Sequence, residues 1–361
     1  MRAFVVVELV WAALWSPEGW ALNGWVKESS ATSQQPFLVL QRDLFGYVDH
    51  SGRLVIHPQF ELAWEFVNGM ARVRQRDRWG YINPRGNLVI PPSFDDAKDF
   101  SEGLARVLQR DHWGYINPRG AFVITPQFVW AADFSEGLAR VRHRDRWGYI
   151  DSRGSFVISP QFDWAEDFSE GLARAGLHGR WGYIDRTGRF VITPTVDDAG
   201  PFSEGLARVS LHGRWGYIDR TGRFSIFPIY DEARNFSEGR AGVQWHDRWG
   251  YIDQAGQWIV EPQFGLVCEF QEGVARVELN GKNGYIDKQG QFVINPRFDW
   301  AQPFSRGLAR AGRGEEWGYI NKSGQYVWTP SPGVTTTFVP QPHAETHSGS
   351  EVLQLVGEPD L

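Results

Sequence analysis

A Gly-Tyr pair recurs nine times in this chain at an unbroken spacing of 34 residues. In most copies a Trp precedes the pair and an Ile follows it, with no insertion or deletion between neighbouring copies. The nine glycines are Gly46, Gly80, Gly114, Gly148, Gly182, Gly216, Gly250, Gly284 and Gly318. A period this regular indicates one structural unit stacked many times. Because a residue found in nearly every copy builds the unit, only departures from the pattern can mark a functional site.

Each unit is predicted to be a three-stranded antiparallel meander. A period of this length also suits helical hairpins. However, every unit contains at least three glycines and one proline, so no uninterrupted helix-forming stretch reaches about 12 residues. Short alternating runs of Val, Ile, Phe, Tyr and Trp fill the intervals, and such runs are typical of strands.

The turns of the meander are predicted from the third unit. Its first hairpin joins residues 104–109 to 112–116 through a two-residue loop, whose equivalent in a later unit is Asn280-Gly281. Asn-Gly is a strong hairpin signal because both residues tolerate positive φ. The second turn, residues 117–120, reads Asn-Pro-Arg-Gly, which matches a type I turn followed by a left-handed glycine.

A two-residue loop also fixes the register of the first hairpin. Val107 then pairs with Gly114, and Arg106 pairs with Tyr115 on the opposite face of the sheet. Gly114 leaves room for a close neighbour, and we expect the Arg106 guanidinium to lie against the Tyr115 ring.

Two repeated columns are interpreted as structural. The Trp that precedes each Gly-Tyr pair is expected to pack between units. An acidic column is expected to serve as a turn or inter-unit hydrogen-bonding device rather than as a row of catalytic acids; it comprises Glu102, Glu136, Glu170, Glu204, Glu238 and Glu272.

The repeat resembles a known family. Residues 180–185 and 214–219 both read Arg-Trp-Gly-Tyr-Ile-Asp, and Phe-Val-Ile, Pro-Gln-Phe, Phe-Ser-Glu-Gly and Leu-Ala-Arg-Val phrases recur around such motifs. These phrases resemble the WG-repeat family, also called KWG repeats, over residues 37–330. The resemblance implies a β-rich repeat scaffold, mostly bacterial, with interaction roles and no catalytic residues to transfer. Phe45 and Asn283 stand where the family has Trp, which puts those two interfaces in doubt.

The fold class is therefore predicted to be all-β, a tandem array of nine 34-residue three-stranded β-meander repeats. An open solenoid or superhelix is favoured over a closed propeller-like ring. The array begins at Phe37 and ends near Trp328 on whole units, and propellers typically have four to eight four-stranded blades. In an open array each unit contacts mainly its neighbours, and the ends need caps.

The two ends of the chain differ from the repeats. Residues 1–21 contain Arg2, an apolar run interrupted by Glu8, and small residues near the end of the segment, which resembles a secretory signal peptide. A disordered or core-packed leader is the alternative. Residues 22–36 are interpreted as a linker and 331–361 as a disordered tail. The protein is accordingly expected to be secreted, periplasmic or on the cell surface, with a cytoplasmic location as the alternative.

Composition limits the partners. The formal net charge is −6, from 43 acidic and 37 basic residues without a basic stripe, so nucleic-acid binding is not expected. Cys268 is the only cysteine, which excludes an intramolecular disulfide and a cysteine-based zinc site. After cleavage of the leader, no integral membrane segment is expected, and no metal or cofactor is predicted.

The sequence contains no recognisable catalytic constellation. It lacks a Gly-x-Ser-x-Gly elbow, a phosphate-binding Gly-rich loop followed by Lys-Ser/Thr, and a His-Glu-x-x-His motif. His178, His212 and His246 recur at the repeat spacing on a predicted hairpin tip, where solvated turn residues are expected. A pair of carboxylates in the linkers, as in a glycosidase, is the remaining enzymatic alternative.

One variable column gives the candidate binding residues. It reads Leu62, Asp96, Trp130, Trp164, Asp198, Glu232, Leu266 and Trp300. A position that alternates between Trp and Asp is expected to face solvent or a partner, although these rings could instead cover a neighbouring unit. An irregular zone at residues 227–283 adds Trp245 and is interpreted as either a groove or a tolerated imperfection.

Trp130, Trp164, Trp300 and Trp245 are therefore the candidate partner-binding residues. The first hypothesis is a non-enzymatic β-repeat scaffold that binds a protein and is exported. The alternative is a carbohydrate-binding module in which the exposed Trp rings stack on sugars.

Overall fold

A computed structural model describes residues 35–314 and 316–330, which form 35 β-strands. The signal peptide (1–21), most of the linker (22–36) and the tail (331–361) anticipated from the sequence lie outside the described residues. The strands form nine small antiparallel sheets, one for each repeat, which we call blades 1 to 9.

The blades follow one another along the chain without interruption. Blade 1 contains β1 (Phe37–Gln41), β2 (Leu44–Val48) and β3 (Leu54–Phe60). Blade 2 contains β4 (Leu62–Ala63), β5 (Ala71–Gln75), β6 (Arg78–Ile82) and β7 (Leu88–Phe94). Blade 3 contains β8 (Asp96–Ala97), β9 (Ala105–Gln109), β10 (His112–Ile116) and β11 (Phe122–Phe128). Blade 4 contains β12 (Trp130–Ala131), β13 (Ala139–His143), β14 (Arg146–Ile150) and β15 (Phe156–Phe162). Blade 5 contains β16 (Trp164–Ala165), β17 (Ala173–Leu177), β18 (Arg180–Ile184) and β19 (Phe190–Val196).

The remaining blades repeat the same order. Blade 6 contains β20 (Asp198–Ser203), β21 (Leu206–Leu211), β22 (Arg214–Asp219) and β23 (Phe224–Tyr230). Blade 7 contains β24 (Glu232–Ala233), β25 (Ala241–Trp245), β26 (Arg248–Ile252) and β27 (Trp258–Phe264). Blade 8 contains β28 (Leu266–Val267), β29 (Val274–Leu279), β30 (Lys282–Asp287) and β31 (Phe292–Phe298). Blade 9 contains β32 (Trp300–Ala301), β33 (Ala309–Arg313), β34 (Glu316–Ile320) and β35 (Tyr326–Trp328).

Eight of the nine sheets have four strands, so the prediction of three-stranded units is wrong for them. The additional strand comes from the segment that the sequence suggested was a linker. In blade 2 it is only two residues long, and Leu62 pairs with Arg74 while Ala63 pairs with Val73. A strand this short carries no alternating pattern that a sequence could reveal.

The nine blades close into a ring, so the preference for an open solenoid is also wrong. A core cluster of buried apolar residues lies between each pair of successive blades. The ninth cluster joins the two ends of the array, with Phe37 and Val39 of blade 1 packed among Leu308, Trp317 and Trp328 of blade 9. Closure needs no blade shared between the two ends, because the last interface is built from apolar packing as the other eight are.

The register of the first hairpin is confirmed. Val107 pairs with Gly114 and Arg106 pairs with Tyr115, as the two-residue loop predicts. The loop residues Arg110 and Asp111 have φ values of 50° and 63°, which is the left-handed region that a tight hairpin turn requires.

Gly114 is required by a close backbone approach. The pairing of β10 with β11 shifts between Trp113 and Tyr115, so β11 bulges toward β10 at this point. A Cβ atom on Gly114 would lie 2.7 Å from both the Ile124 carbonyl oxygen and the Pro126 nitrogen. The room predicted at this glycine is therefore occupied by backbone of the neighbouring strand.

The last strand of each blade is a free edge of its sheet. Along β7, exposed and buried side chains alternate after Val89, and Pro92 lies near the middle of the strand. Proline recurs at this position in every copy: Pro58, Pro92, Pro126, Pro160, Pro194, Pro228, Pro262, Pro296 and Pro330. Proline donates no backbone hydrogen bond, which limits pairing at a sheet edge.

The strand directions define two faces of the ring. We call the face that carries the tips of the first hairpins, such as residues 110–111, the hairpin face. The opposite face carries the turns at residues 117–120 and 101–104, and we call it the turn face. The first strand of each blade begins at the hairpin face, because Arg110 N–H at a hairpin tip donates to Asp95, the residue just before β8 (2.8 Å).

Candidate functional site

The repeated residues hold neighbouring blades together. The tyrosine of each Gly-Tyr pair is buried, and its hydroxyl donates to a backbone carbonyl of the next blade; Tyr115 Oη lies 2.7 Å from Ala132 O. The Trp before the pair is buried or half-buried within the interface clusters. The structure also accommodates both departures from Trp, since Phe45 and Asn283 are buried.

The acidic column forms inter-blade hydrogen bonds, as expected. Glu102 Oε2 accepts from Gly137 N–H of the next blade at 2.7 Å. Five equivalent contacts join Glu136 to Gly171, Glu170 to Gly205, Glu204 to Gly239, Glu238 to Gly273 and Glu272 to Gly307. This column belongs to the scaffold.

An arginine column crosses the same interfaces. Arg106 donates to the carbonyl of Ala131 and pairs with Asp133 of the next blade, with 2.8 Å between Nε and Oδ1. Its guanidinium lies over the Trp113 ring at 5.2 Å, so the predicted stacking on Tyr115 is wrong. Tyr115 is fully buried and its hydroxyl donates to the next blade. The arginine therefore contacts the Trp113 ring instead.

Two acids of this network are perturbed by burial. Burial raises the pKa of Asp99 and of Asp167 above the ordinary value, and Arg72 and Arg140 respectively oppose part of that shift. Perturbed carboxyl groups often mark active sites, but structural ion-pair networks perturb them as well. Each of these acids faces an arginine of the preceding blade, at 3.2 Å for Arg72–Asp99 and 2.9 Å for Arg140–Asp167, so their geometry is that of an inter-blade pair.

In the irregular zone at residues 227–283, one departure from the repeat is compensated by a nearby residue. Gly242 replaces the column arginine, and the guanidinium of Arg234 lies over the Trp249 ring at 4.9 Å instead. Cys268 is half-buried, and its sulfur accepts a hydrogen bond from the Arg276 guanidinium at 3.0 Å. These contacts lie within the blade interfaces, whereas Phe227 and Ile229 of the same zone are exposed.

The structure places all four candidate tryptophans toward the hairpin face. Trp130, Trp164 and Trp300 begin the first strands of blades 4, 5 and 9, and Trp245 ends β25 in blade 7. Trp130 and Trp164 are therefore neighbours at equivalent positions, whereas Trp300 lies four blades away from each of them around the ring.

The four rings differ in how much of each is available. Trp130 packs edge-on against Trp147 at 4.7 Å, with the Arg140 guanidinium over it at 5.0 Å. Trp300 lies against Gly312, where its indole occupies the space of a missing side chain. Trp245 is half-buried, and Trp164 is 50% exposed. Trp164 is thus the most accessible of the four.

Three further apolar residues are exposed on blades 4 and 6; Val129 was not identified from the sequence, and Phe227 and Ile229 were included only as part of the irregular zone. Val129, which precedes β12, is 73% exposed, and Phe227 and Ile229 on β23 are 70% and 47% exposed. Val129 stands where most copies have Asp or Glu. Phe227 stands where the other copies have a polar residue or Pro. Comparison of the columns would have revealed both departures.

A cavity of about 310 Å³ opens on the turn face between blades 2 and 3. It is lined by Asn68, Met70, Phe100, Glu102, Gly103 and Pro118. In the described residues, no group of three or more His, Cys, Asp or Glu side chains is arranged to hold a metal ion. The part of the chain that the structure covers also contains no helix long and apolar enough to cross a membrane.

This architecture defines the protein class as a nine-bladed β-propeller. The model of the family described as "WG containing repeat" matches residues 45–79, 79–111, 113–147, 147–180, 181–215, 215–244, 249–282 and 284–314. The chain belongs to this WG-repeat family, as the sequence resemblance indicated. No curated protein matches the chain in sequence.

Several solved structures are similar in fold. The crystal structure of a eukaryotic initiation factor aligns with a TM-score of 0.59 at 10% identity, over 82% of this chain and 96% of that one. The likeness concerns the fold alone.

Two more distant matches are bacterial. One is the extracellular domain of a proposed one-component system from B. thetaiotaomicron, with a TM-score of 0.36 and 12% identity over 80% of this chain and 53% of that one. The other is PorZ, a surface component of the type-IX secretion system of Porphyromonas gingivalis, with a TM-score of 0.30 and 11% identity over 82% and 52%. The chain spans about half the length of these two proteins.

Proposed function

We propose that the protein is a non-enzymatic scaffold that binds a protein partner on blades 4 to 6, where Val129 and Trp164 lie at the hairpin face and Phe227 lies on the edge strand β23. The observation that carries this proposal is the exposure of Val129, Trp164 and Phe227, three large apolar side chains at positions where the repeat does not require them. Buried aromatic and aliphatic anchors supply most of the binding energy in protein interfaces.

The scaffold itself gives no reason for these residues. At the position of Val129, other copies have a carboxylate that stabilises the hairpin tip; Asp163 Oδ2, for example, accepts from His178 N–H at 2.8 Å. Val129 cannot accept this hydrogen bond, and its aliphatic side chain is exposed instead. Phe227 stacks on Phe224 with 5.8 Å between ring centroids, which holds the exposed ring in place. A pre-ordered apolar group loses less conformational entropy on binding.

The non-enzymatic part of the proposal rests on how the acidic groups are used. Among the described residues, three carboxylates have pKa values raised by desolvation. Asp99 and Asp167 are each paired with an arginine across a blade interface, and the half-buried Glu269 accepts hydrogen bonds from Asn235 of the preceding blade. A general acid or base needs a position from which it can reach substrate. Paired acids inside a repeated interface do not have that freedom.

Carbohydrate binding is the second candidate. The half-exposed indole of Trp164, with Trp130 at the equivalent position of the preceding blade, would suit stacking on a sugar ring. The aliphatic side chains of Val129 and Ile229 favour a protein partner, since they offer no flat aromatic surface.

Site-specific photo-crosslinking tests the proposal. A photoreactive amino acid is placed at Val129 or Phe227, and matched controls carry it at the equivalent positions Asp299, just before the first strand of blade 9, and Asn295 in blade 8. We expect one protein to be crosslinked at the first two positions only. With that partner purified, Trp164→Ala should weaken its binding at least tenfold, because an anchor residue contributes about 2 kcal/mol or more.

Other outcomes would contradict the proposed surface or support the carbohydrate alternative. Equal crosslinking at all four positions, or no effect of Trp164→Ala on the partner's Kd, would contradict the proposed surface. Binding of a polysaccharide that is lost in Trp130→Ala and Trp164→Ala would support the carbohydrate alternative instead.

Export is a separate part of the proposal and is supported by the signal-like segment at residues 1–21. Intact-mass measurement of the mature protein tests it. A mass that includes Met1 or Arg2 in soluble cytoplasmic protein would contradict export.

A further inference from the structure

The turn face contains a repeated carboxylate site that the chain itself fills. At six blade interfaces, a glutamate carboxylate accepts from the backbone N–H of a glycine in the next blade, with N···O distances from 2.7 to 3.1 Å. Each of these glycines has a positive φ, such as 78° at Gly137, so the turn holds its N–H outward in a fixed direction. The six contacts show that this turn geometry binds a carboxylate.

A basic side chain fills the adjoining space at several of these interfaces. Lys288 Nζ lies 2.9 Å from Glu238 Oε2, and Lys322 Nζ lies 2.6 Å from the Glu272 carbonyl. Arg220 donates to the carbonyl of Glu170. Each basic residue follows its glutamate by 50 positions, so the pair recurs with the repeat.

The interface between blades 2 and 3 lacks both groups. Asn68 stands in place of the glutamate, and its Nδ2 donates to the Phe100 carbonyl at 2.8 Å. Pro118 stands in place of the basic residue. Gly103 N–H is the donor that would bind the carboxylate if position 68 were a glutamate. Among the described residues, no oxygen accepts a hydrogen bond from it. The cavity of about 310 Å³ lies at this position.

We propose that this cavity binds a carboxylate carried on a short aliphatic chain, such as the side chain of a glutamate. The carboxylate would take the position of the missing glutamate and accept from Gly103 N–H. Met70 and Phe100 line the cavity and would contact the methylene groups. The site lies on the turn face of blades 2 and 3, so it is independent of the surface proposed on blades 4 to 6.

The charge of Glu102 does not oppose this assignment. Its carboxylate is engaged by Gly137 N–H at 2.7 Å, on the side of the following blade. At other interfaces, a glycine that binds one carboxylate also follows directly after a glutamate that binds the next blade. Gly273 N–H binds the Glu238 carboxylate, while the adjacent Glu272 accepts from Gly307 N–H. The fold therefore accommodates successive carboxylates at this spacing.

The test is an amide chemical-shift titration of the full chain labelled with ¹⁵N. The probe is N-acetyl-glutamate α-amide, and the neutral control is N-acetyl-glutamine α-amide. We expect a saturable shift of the Gly103 amide with the acid and none with the amide, while the Gly137 amide stays unchanged. Acetate serves as a second probe: binding as tight as that of the glutamate derivative would point to a free small acid as ligand, and much weaker binding to an acidic side chain.

Two variants make the test specific. Asn68→Glu should fill the site from within the chain, as in the other six interfaces, and lower the affinity for the probe at least tenfold. Asn87→Glu adds the same charge on an exposed residue elsewhere and should leave binding unchanged. Pro118→Lys, which restores only the basic residue, should instead strengthen binding of the acid, because the equivalent Lys288 lies 2.9 Å from the Glu238 carboxylate; unchanged or weaker binding in this variant would count against the site.

Three further results would overturn the inference. They are an unchanged Gly103 amide at saturating probe, an equal shift at Gly137, or full binding by a folded variant in which the cavity is filled.

Discussion

The hydroxyl of Tyr319 in blade 9 donates a 2.7 Å hydrogen bond to the carbonyl of Leu38 in blade 1. Glu65 joins the same contact, accepting from Arg310 at 2.6 Å and from Arg306 at 2.8 Å. Every other blade interface is crossed by the chain, whereas no chain segment within the described residues connects these two blades directly. Within the described residues, the ring is therefore closed at this interface by non-covalent contacts.

Removal of Glu65 should open the ring at this interface. Arg310 is buried, so Glu65→Ala leaves an unpaired charge and should cost about 3 kcal/mol of unfolding free energy. Urea unfolding measures the loss, and hydrogen exchange should show faster exchange in β1, β33 and β34 before other strands. The control is Asp133→Ala, which removes the partner of Arg106 at an interface that the chain crosses. Equal local exchange in both variants would argue against a special role for the closing contact.

Stability should fall steeply at alkaline pH. Burial raises the pKa of the repeated tyrosine above the ordinary value of 10.0 in all nine blades: Tyr47, Tyr81, Tyr115, Tyr149, Tyr183, Tyr217, Tyr251, Tyr285 and Tyr319. A raised folded-state pKa means that the folded state retains protons that the unfolded state loses, so stability is intact below pH 10 and is lost as the pH rises above it. The loss is about 1 kcal/mol per tyrosine by pH 11.

Circular dichroism and tyrosinate absorbance, recorded together, check this expectation. The main rise in absorbance should coincide with loss of the sheet signal in one transition. A gradual titration near pH 10 with an intact sheet signal would contradict the burial of these hydroxyls.

Two glycine substitutions should separate steric clash from backbone strain. A Cβ on Gly216 would lie 2.5 Å from the Ile226 carbonyl oxygen and 2.6 Å from the Pro228 nitrogen. Gly216→Ala should therefore cost about 3 kcal/mol or more, because backbone must move. Gly239 has φ of 79° but no neighbour within 4 Å of such a Cβ, so Gly239→Ala should cost about 1 kcal/mol from strain alone. Thermal unfolding of both variants measures the difference, and a reversed order would contradict the tight approach of the strands.

Val129→Asp should stabilise the protein and weaken partner binding. Among the described residues no group accepts from Arg144 N–H at the hairpin tip, whereas the equivalent His246 N–H donates to Asp231 at 2.8 Å. The new carboxylate should add about 1 kcal/mol. Asp231→Val is the reciprocal control and should lose more than this amount, because Asp231 also pairs with Arg214. A variant that is stabilised and still binds the partner at full strength would exclude Val129 from the interface.

Much of the local structure follows from the sequence, and the reasons are local. The Val107–Gly114 pairing depends only on a two-residue loop, and the turn at 117–120 depends on Asn, Pro and Gly preferences. The two-residue first strands and the contact of Tyr319 with Leu38 depend on pairings between blades. The second of these joins residues 281 positions apart, which periodicity within one repeat does not reveal.

For the candidate sites too, some features follow from the local sequence and others depend on contacts between blades. Variation at Trp130 and Trp164 is visible in a single column, but accessibility of the rings depends on what packs beside them. Recognising the cavity from the sequence would have required two columns to be compared, since Asn68 and Pro118, which both line it, depart together from a pair spaced by 50 residues. Each departure alone resembles ordinary variation of a surface turn.

The proline in the last strand of blades 1 to 8 restricts how any partner can be recognised. A free sheet edge ordinarily allows another chain to add a strand through backbone hydrogen bonds, which is largely independent of side chains. Pro92 and its equivalents remove one backbone donor from that strand in blades 1 to 8. Addition of a strand to a blade is therefore disfavoured, and a partner is expected to recognise the side chains that distinguish one blade from the next.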